Sequence, residues 1–151
     1  MAESTLQSSI RRGEPDDLPA VLALLQSAGL PTADLTSAQR LHLWVLKTDS
    51  LQGVIALERF GSEALLRSLA VAPEYRRHGL GHELVARLEL DARADGIEQL
   101  VLLTETAERF FRDLGYEAID RQSVSDGLKQ SAEFRSLCPA YAVCMRKALH
   151  S

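Results

Sequence analysis

The spacing of apolar residues changes period several times along the chain. Leu18, Val21, Leu22 and Leu25 recur at helical intervals, which predicts a one-sided amphipathic helix. Glu14-Pro15-Asp16-Asp17 opens it, with proline near the first helical position and acids where the helix dipole favours them; Gly29 and Pro31 close it. Ile10-Arg11-Arg12 ahead of this helix reads as a short first strand. Leu41 to Lys47 is rich in Leu, Val and Trp and is broken by Thr48-Asp49-Ser50. Gly53–Phe60 and Ala64–Val71 are two more strand-like runs, ended by Gly61 and Pro73. The short turns between these runs predict an antiparallel meander.

A second helix is predicted from about Gly81 to Ala94, with Leu84, Val85, Leu88 and Ala92 on one face and Asp95-Gly96 as its stop. Gln99 to Thr104 contains Leu100-Val101-Leu102-Leu103, the pattern of a strand buried on both faces. Glu105 to Leu114 reads as a third helix stopped by Gly115, Tyr116 to Ile119 as the start of a strand, and Tyr141 to Met145 as the last strand. Ser123 to Ser136 is polar and fits neither period. The order β-α-β-β-β-α-β-α-β-β gives an α/β (α+β) fold over residues 1–151. It is a single domain with a mixed, mostly antiparallel sheet flanked by helices and a flexible segment over residues 1–9.

Composition narrows the function classes. The chain has 151 residues, 46% hydrophobic and 25% charged, enough for one domain with a substantial core. A formal charge of −4 argues against nucleic acid as a partner. No apolar run approaches the roughly 20 residues of a membrane helix, so no membrane partner is expected. Met1 to Ser9 lacks the apolar stretch of a secretory signal, which makes the cytoplasm the default location. In that reducing setting Cys138 and Cys144 are expected to stay thiols. Two thiols alone are an incomplete metal site, so no metal is expected.

The informative segment is Leu69-Ala70-Val71-Ala72-Pro73-Glu74-Tyr75-Arg76-Arg77-His78-Gly79-Leu80-Gly81. A strand ends, a loop carries two arginines and two glycines, and an amphipathic helix begins. The start of a helix exposes unpaired N–H groups and a partial positive charge, a ready site for phosphate. Gly79 and Gly81 allow a tight bend and a close approach of backbone to ligand. Arg76, Arg77 and His78 add positive charge, and arginine can pair with phosphate oxygens. Neither G-x-x-x-x-G-K-[ST] nor G-x-G-x-x-G is present, so a P-loop and a dinucleotide fingerprint are both excluded.

Leu69-x-Val71-x-Pro73-x-x-Arg76-x-x-Gly79-x-Gly81 resembles the central acetyl-coenzyme A motif of the GNAT superfamily, and the element order resembles that fold over nearly the whole chain. The resemblance implies that the backbone of Leu69, Ala70 and Val71 meets the pantetheine arm. It also implies that Arg76, Arg77, His78, Gly79, Leu80, Gly81 and His82 wrap the pyrophosphate. Ala107-x-x-Phe110-Phe111-x-x-Leu114-Gly115-Tyr116 resembles the second family motif, beside the thioester. A narrower resemblance, through Leu65 to Val71, Leu102 to Thr106, Phe134 to Ala140 and Ala142 to Lys147, is to the branch named for arsenic-resistance N-acetyltransferases.

The implied activity is direct acetyl transfer from acetyl-CoA to a small, amino-acid-like amine within a ternary complex. Many family members carry a tyrosine that protonates the departing sulfur, and here the matching position is Phe111, which has no proton to give. Three alternatives stay open: water or another hydroxyl (Tyr116 or Tyr141) supplies the proton, the thiolate leaves as the anion, or the protein is a non-catalytic acyl-CoA sensor or interaction module. Glu58, near the end of a central strand, is a candidate base and Glu105 a second one; exposed acids at strand ends are the plain alternative. Arg67 sits in an otherwise apolar strand, so it faces solvent, pairs with Glu58 on the neighbouring strand, or binds a substrate carboxylate or oxyanion. The cysteines are either small core residues or arsenic ligands. The final strand could pair across a homodimer.

Overall fold

The computed structural model describes residues 9–33, 35 and 41–149. The expectations for residues 1–8 and for much of the segment 32–40 lie outside the described residues. The strands are β1 (Ile10–Arg12), β2 (Leu41–Lys47), β3 (Leu51–Phe60), β4 (Glu63–Val71), β5 (Gln99–Thr104), β6 (Glu117–Ala118) and β7 (Val143–Ala148). The α-helices are α1 (Leu18–Ser27), α2 (Leu80–Ala94), α3 (Glu108–Asp113) and α4 (Asp126–Lys129), and a π-helical turn spans Glu133–Leu137. The strands form one sheet in the order β1-β2-β3-β4-β5-β7-β6. All neighbours are antiparallel except β4 and β5.

Helices cover both faces of this sheet. On one side Leu84, Leu88 and Phe111 from α2 and α3 pack with Ile55, Leu66, Leu100 and Leu102. On the other, α1 packs Val21 and Leu25 against Val45 and Val54, while Leu128 of α4 meets Leu65, Val101 and Cys144. The central residues of β5 therefore bury side chains on both faces, which is why the strand reads as an unbroken apolar run.

Three predicted elements differ in extent. The last strand begins at Val143, two residues later than expected, and continues to Ala148, because each of its residues pairs with β5 from Thr104 back to Gln99. The third helix starts only at Glu108, since the Thr104 hydroxyl accepts the Ala107 N–H at 2.9 Å and holds a turn ahead of it. The polar stretch after Ser123 contains α4, capped where Ser125 Oγ accepts the Leu128 N–H, and two of its apolar residues, Val124 and Leu128, are buried.

The entry to α1 is tied to β1 by charge. Arg11 donates to both oxygens of Asp17 at 2.8 and 2.9 Å, and the Glu14 N–H donates to the same carboxylate at 2.7 Å. The Arg11 hydrogen bonds, opposed by burial and aided by the Glu14 N–H and the charges of Arg11 and Lys47, lower the Asp17 carboxyl from 3.8 to about 2. A folded-state value below the unfolded one stabilises the fold above the unfolded pKa, and the stabilisation is lost as pH falls through the folded value. Arg11 is 41% exposed, and solvent screening holds the contribution to about 1 kcal/mol. Asp17→Asn should therefore cost about that much at neutral pH, and its deficit against wild type in urea melts should shrink as pH drops from about 4 towards 2.

Candidate functional site

The parallel pair β4 and β5 is bonded only from Glu63↔Gln99 to Leu65↔Val101. Beyond that point β4 stays with β3 and β5 stays with β7, so the two strands part like a wedge. A cavity of about 410 Å³ opens there, walled by Leu66 to Val71 of β4, Leu102 to Ala107 at the end of β5, Ala28 to Pro31 after α1, and Phe111, Glu133 and Cys138.

A β-bulge shapes the β4 wall. Val54 pairs with Ala70 and Ala56 with Arg67, so Ser68 and Leu69 together stand opposite Ile55. Ser68 adopts φ 60°, in the left-handed region. A bulge adds one residue and so reverses the alternation of side chains beyond it. Ala64 and Leu66 face the α2 side before the bulge, and Leu69 and Val71 face that side after it, while Ala70 turns towards α1.

The loop after β4 leads straight into α2. Arg77 and Gly79 both have positive φ, 69° and 77°, and Arg76 Nε donates to the Val71 carbonyl at 3.1 Å. Glu83 N–H bonds the Gly79 carbonyl at 3.1 Å as α2 begins, which leaves the amides of Leu80, Gly81 and His82 without intrahelical acceptors. Space around Gly79 is open, whereas a Cβ on Gly81 would lie 3.2 Å from Phe110 Cζ. A side chain at Gly81 would therefore have to displace the Phe110 ring. The Phe110 ring in turn meets the His82 ring at a centroid distance of 5.0 Å. These residues line a second cavity of about 430 Å³, and Val71 and Arg76 belong to the walls of both cavities.

At the far end of the wedge lies Arg67, whose side chain is fully buried. Its Nη1 is 3.2 Å from Glu58 Oε1, the diagonal partner on β3, and its Nε is 3.1 Å from Glu133 Oε2 on the π-helical turn. Of the three alternatives for Arg67, pairing with Glu58 is the one observed. Glu58 sits behind Arg67 and Glu133 in the cavity wall. Glu133 escaped sequence reading because it lies in the polar stretch with no period; the usable signal was Arg67, since a buried guanidinium with five N–H groups calls for more than one acceptor.

Glu105 is at the cavity mouth, where its Oε1 accepts from the exposed Tyr141 hydroxyl at 3.1 Å. Phe111 is buried, edge-on to both Phe110 and Tyr116. The Tyr116 hydroxyl donates to Glu89 Oε2 at 2.8 Å, and burial, then the Glu89 charge and hydrogen bond, push its pKa far upwards. Burial, followed by Glu133, pushes the Cys138 thiol up to about 12, and burial raises Cys144 to about 11. Both cysteines are neutral thiols at pH 7, and only Cys138 reaches the wedge. Iodoacetamide should alkylate Cys138 at least about tenfold more slowly at pH 7.5 than free cysteine, as the thiolate is the nucleophile; a rate equal to free cysteine would contradict the burial of this thiol beside Glu133.

A family model described as an acetyltransferase (GNAT) domain matches residues 39–118, which takes in β2 to β5, the loop after β4, α2 and α3. The chain belongs to the GNAT acetyltransferase family. Among relatives, the amino-acid acetyltransferase of Ectopseudomonas mendocina (strain ymp) is 48% identical over 52 residues, 34% of this GNAT chain and 12% of the relative. The chain therefore spans about an eighth of that relative's length. N-acetylglutamate synthase from Neisseria gonorrhoeae, solved with coenzyme A and N-acetyl-glutamate, superposes with a TM-score of 0.79 at 21% identity, over 95% of this chain and 35% of that one. Rv2747 from Mycobacterium tuberculosis, solved in complex with CoA, gives 0.79 at 24% identity over 93% and 99%. At these identities the structural likeness is one of fold.

The GNAT site fits an acyl-CoA in its chemistry. Free amides at the start of α2, with Arg76 and Arg77 beside them, suit a pyrophosphate. The parted strands suit an extended arm that takes hydrogen bonds from a strand edge. Among the described residues no group of three or more His, Cys, Asp or Glu is placed to hold a metal ion.

Proposed function

We propose that this domain transfers the acetyl group of acetyl-CoA to the amino group of a small, amino-acid-like molecule, with both substrates bound together. The observation that carries this reading is the continuity of the wedge with the amide-rich loop through Val71 and Arg76. The relatives named amino-acid acetyltransferase support the acceptor class, as does the neighbour solved with N-acetyl-glutamate. Arg76, Arg77, His78, Gly79, Leu80, Gly81 and His82 hold the pyrophosphate, and the backbone of Leu69, Ala70 and Val71 orients the arm. Phe111 packs beside the reacting end.

When bound, acetyl-CoA supplies an acyl thioester. The amine reaches it from the end of the wedge where Arg67 and Glu133 lie. Glu105, open to the cavity mouth, is better placed than Glu58 to take the amine proton, since Glu58 is engaged by Arg67 behind the wall. Tyr116 and Cys138 are both poorly suited to protonate the sulfur. Tyr116 holds its proton against Glu89. Cys138, at about 12, is a weaker acid than an ordinary thiol near 8.5 and would not give its proton to a thiolate. The thiolate leaves as the anion, or takes its proton from water or from another hydroxyl such as that of Tyr141 on Glu105. Arsenic plays no part in this reading, because Cys144 lies in the Leu65 and Val101 cluster and leaves Cys138 without a second thiol in the wall.

Phe111 favours one other reading, a non-catalytic acyl-CoA sensor. Release of free thiol from acetyl-CoA, followed across a panel of amino acids and simple amines, separates the two. Amine-dependent release is the expected result. Tight acetyl-CoA binding with no release on any amine would sink the transferase and leave the sensor.

A further inference from the structure

We propose a second ligand site, distinct from the wedge: a cavity behind the π-helical turn that binds a dianionic phosphate group carried on an apolar body. The cavity measures about 420 Å³, and Arg121, Lys129 and Arg135 all line it, with Gln122 and Phe134 between them. Among the described residues no carboxylate lines it. In a chain whose formal charge is −4, three cations in one concavity repel one another, and that repulsion is relieved by a bound anion.

The cations are unequally committed. Arg121 is held in place: Nη1 donates to the Pro139 carbonyl at 3.0 Å, and its guanidinium lies over the Phe134 ring at 5.5 Å. Lys129 has an acidic neighbour, Asp126, but at 4.0 Å and fully exposed, a contact too weak to neutralise it. The Arg135 side chain is exposed on the turn. A fixed guanidinium, a second arginine and a lysine are the donor set that recognises a phosphate dianion, through paired N–H groups and a point charge. The Phe134 side chain, its ring already carrying the Arg121 guanidinium, gives the cavity an apolar patch beside the cations.

Two further acids lie nearby without lining the cavity. Asp120 accepts the Gln122 N–H at 2.9 Å, and Glu133 faces the other way, on to Arg67 at 3.1 Å. The π-helical turn thus divides two chemistries: Glu133 towards the wedge, Phe134 and Arg135 towards the second cavity, with Cys138 in both walls. The site stands whether or not the wedge carries out acetyl transfer.

The probe is phenyl phosphate, titrated into the full chain at low ionic strength and followed by amide chemical shifts, with inorganic phosphate in parallel. Saturable shifts around Arg121, Phe134 and Arg135 are expected, with phenyl phosphate binding more tightly than phosphate. Arg135→Gln, a change at an exposed position, should weaken binding about tenfold, the loss of one charge-assisted contact. Arg121→Gln should do the same, and an unchanged thermal melt keeps that result interpretable. Arg76→Gln/Arg77→Gln, which removes the competing basic loop, should leave the affinity unchanged. The proposal is overturned if no saturable shift occurs at these residues, if Arg135→Gln binds as wild type does, or if the loop variant abolishes binding.

Discussion

Arg67→Met is expected to destabilise the protein by about 3–5 kcal/mol, the loss seen when one partner of a buried ionic group is removed. The Arg67 side chain is fully buried and pairs with Glu58 at 3.2 Å and Glu133 at 3.1 Å, themselves 10% and 5% exposed. Its removal leaves two carboxylates without this cation where water reaches them poorly, which favours taking up a proton or opening the wall. Set against a typical stability of about 5–15 kcal/mol, that is from about a fifth of the folding free energy to nearly all of it. The loss should be context-dependent: Arg67→Met with Glu58→Gln and Glu133→Gln, which removes all three charges, should recover much of it. Urea melts of wild type, the single variant and the triple variant test this. A loss under about 1 kcal/mol for Arg67→Met would mean that the carboxylates are already well hydrated.

Gly79→Val should weaken acetyl-CoA binding by at least about tenfold while lowering stability by only about 1–2 kcal/mol, the cost of forcing a side chain into the left-handed region. Gly79 has φ 77°, and a Cβ added there would meet nothing within 4 Å, so the penalty is conformational and not a clash. A β-branched residue escapes it by turning the backbone, which re-aims the amides that begin α2. Gly79→Asn, which tolerates the same region, should keep affinity within about threefold. Calorimetric titration of both variants decides the matter. Equal affinity for Gly79→Val and wild type would remove the loop from the cofactor site.

The parts of this fold that were legible in the sequence are those with a period or a punctuating residue. α2, β5 and the β2–β4 meander follow from apolar spacing, and the Arg76 to Gly81 loop from its glycines and arginines. The Arg67–Glu58 pair was legible because a charge in an apolar strand has few partners within reach. The bulge at Ser68 was hidden, since neither glycine nor proline marks it and simple alternation puts Leu69 and Val71 on the wrong face. The parting of β4 from β5 was equally hidden, because it depends on where pairing stops and not on residue type. Glu133 and the cations around Phe134 come from a polar stretch whose irregular π-helical turn leaves no periodic trace. The bulge, the parted strands and Glu133 shape the wedge and the cations shape the second cavity, which is why the sequence spoke more clearly about the loop after β4 than about either cavity.

The central claim is that the wedge and the loop after β4 form one acyl-CoA site. Calorimetric titration of the folded chain with acetyl-CoA tests it most directly, read together with the Gly79→Val variant. One site per chain with micromolar affinity, weakened at least about tenfold by Gly79→Val, is the predicted result. No heat of binding at micromolar concentrations of protein that melts cooperatively would contradict it.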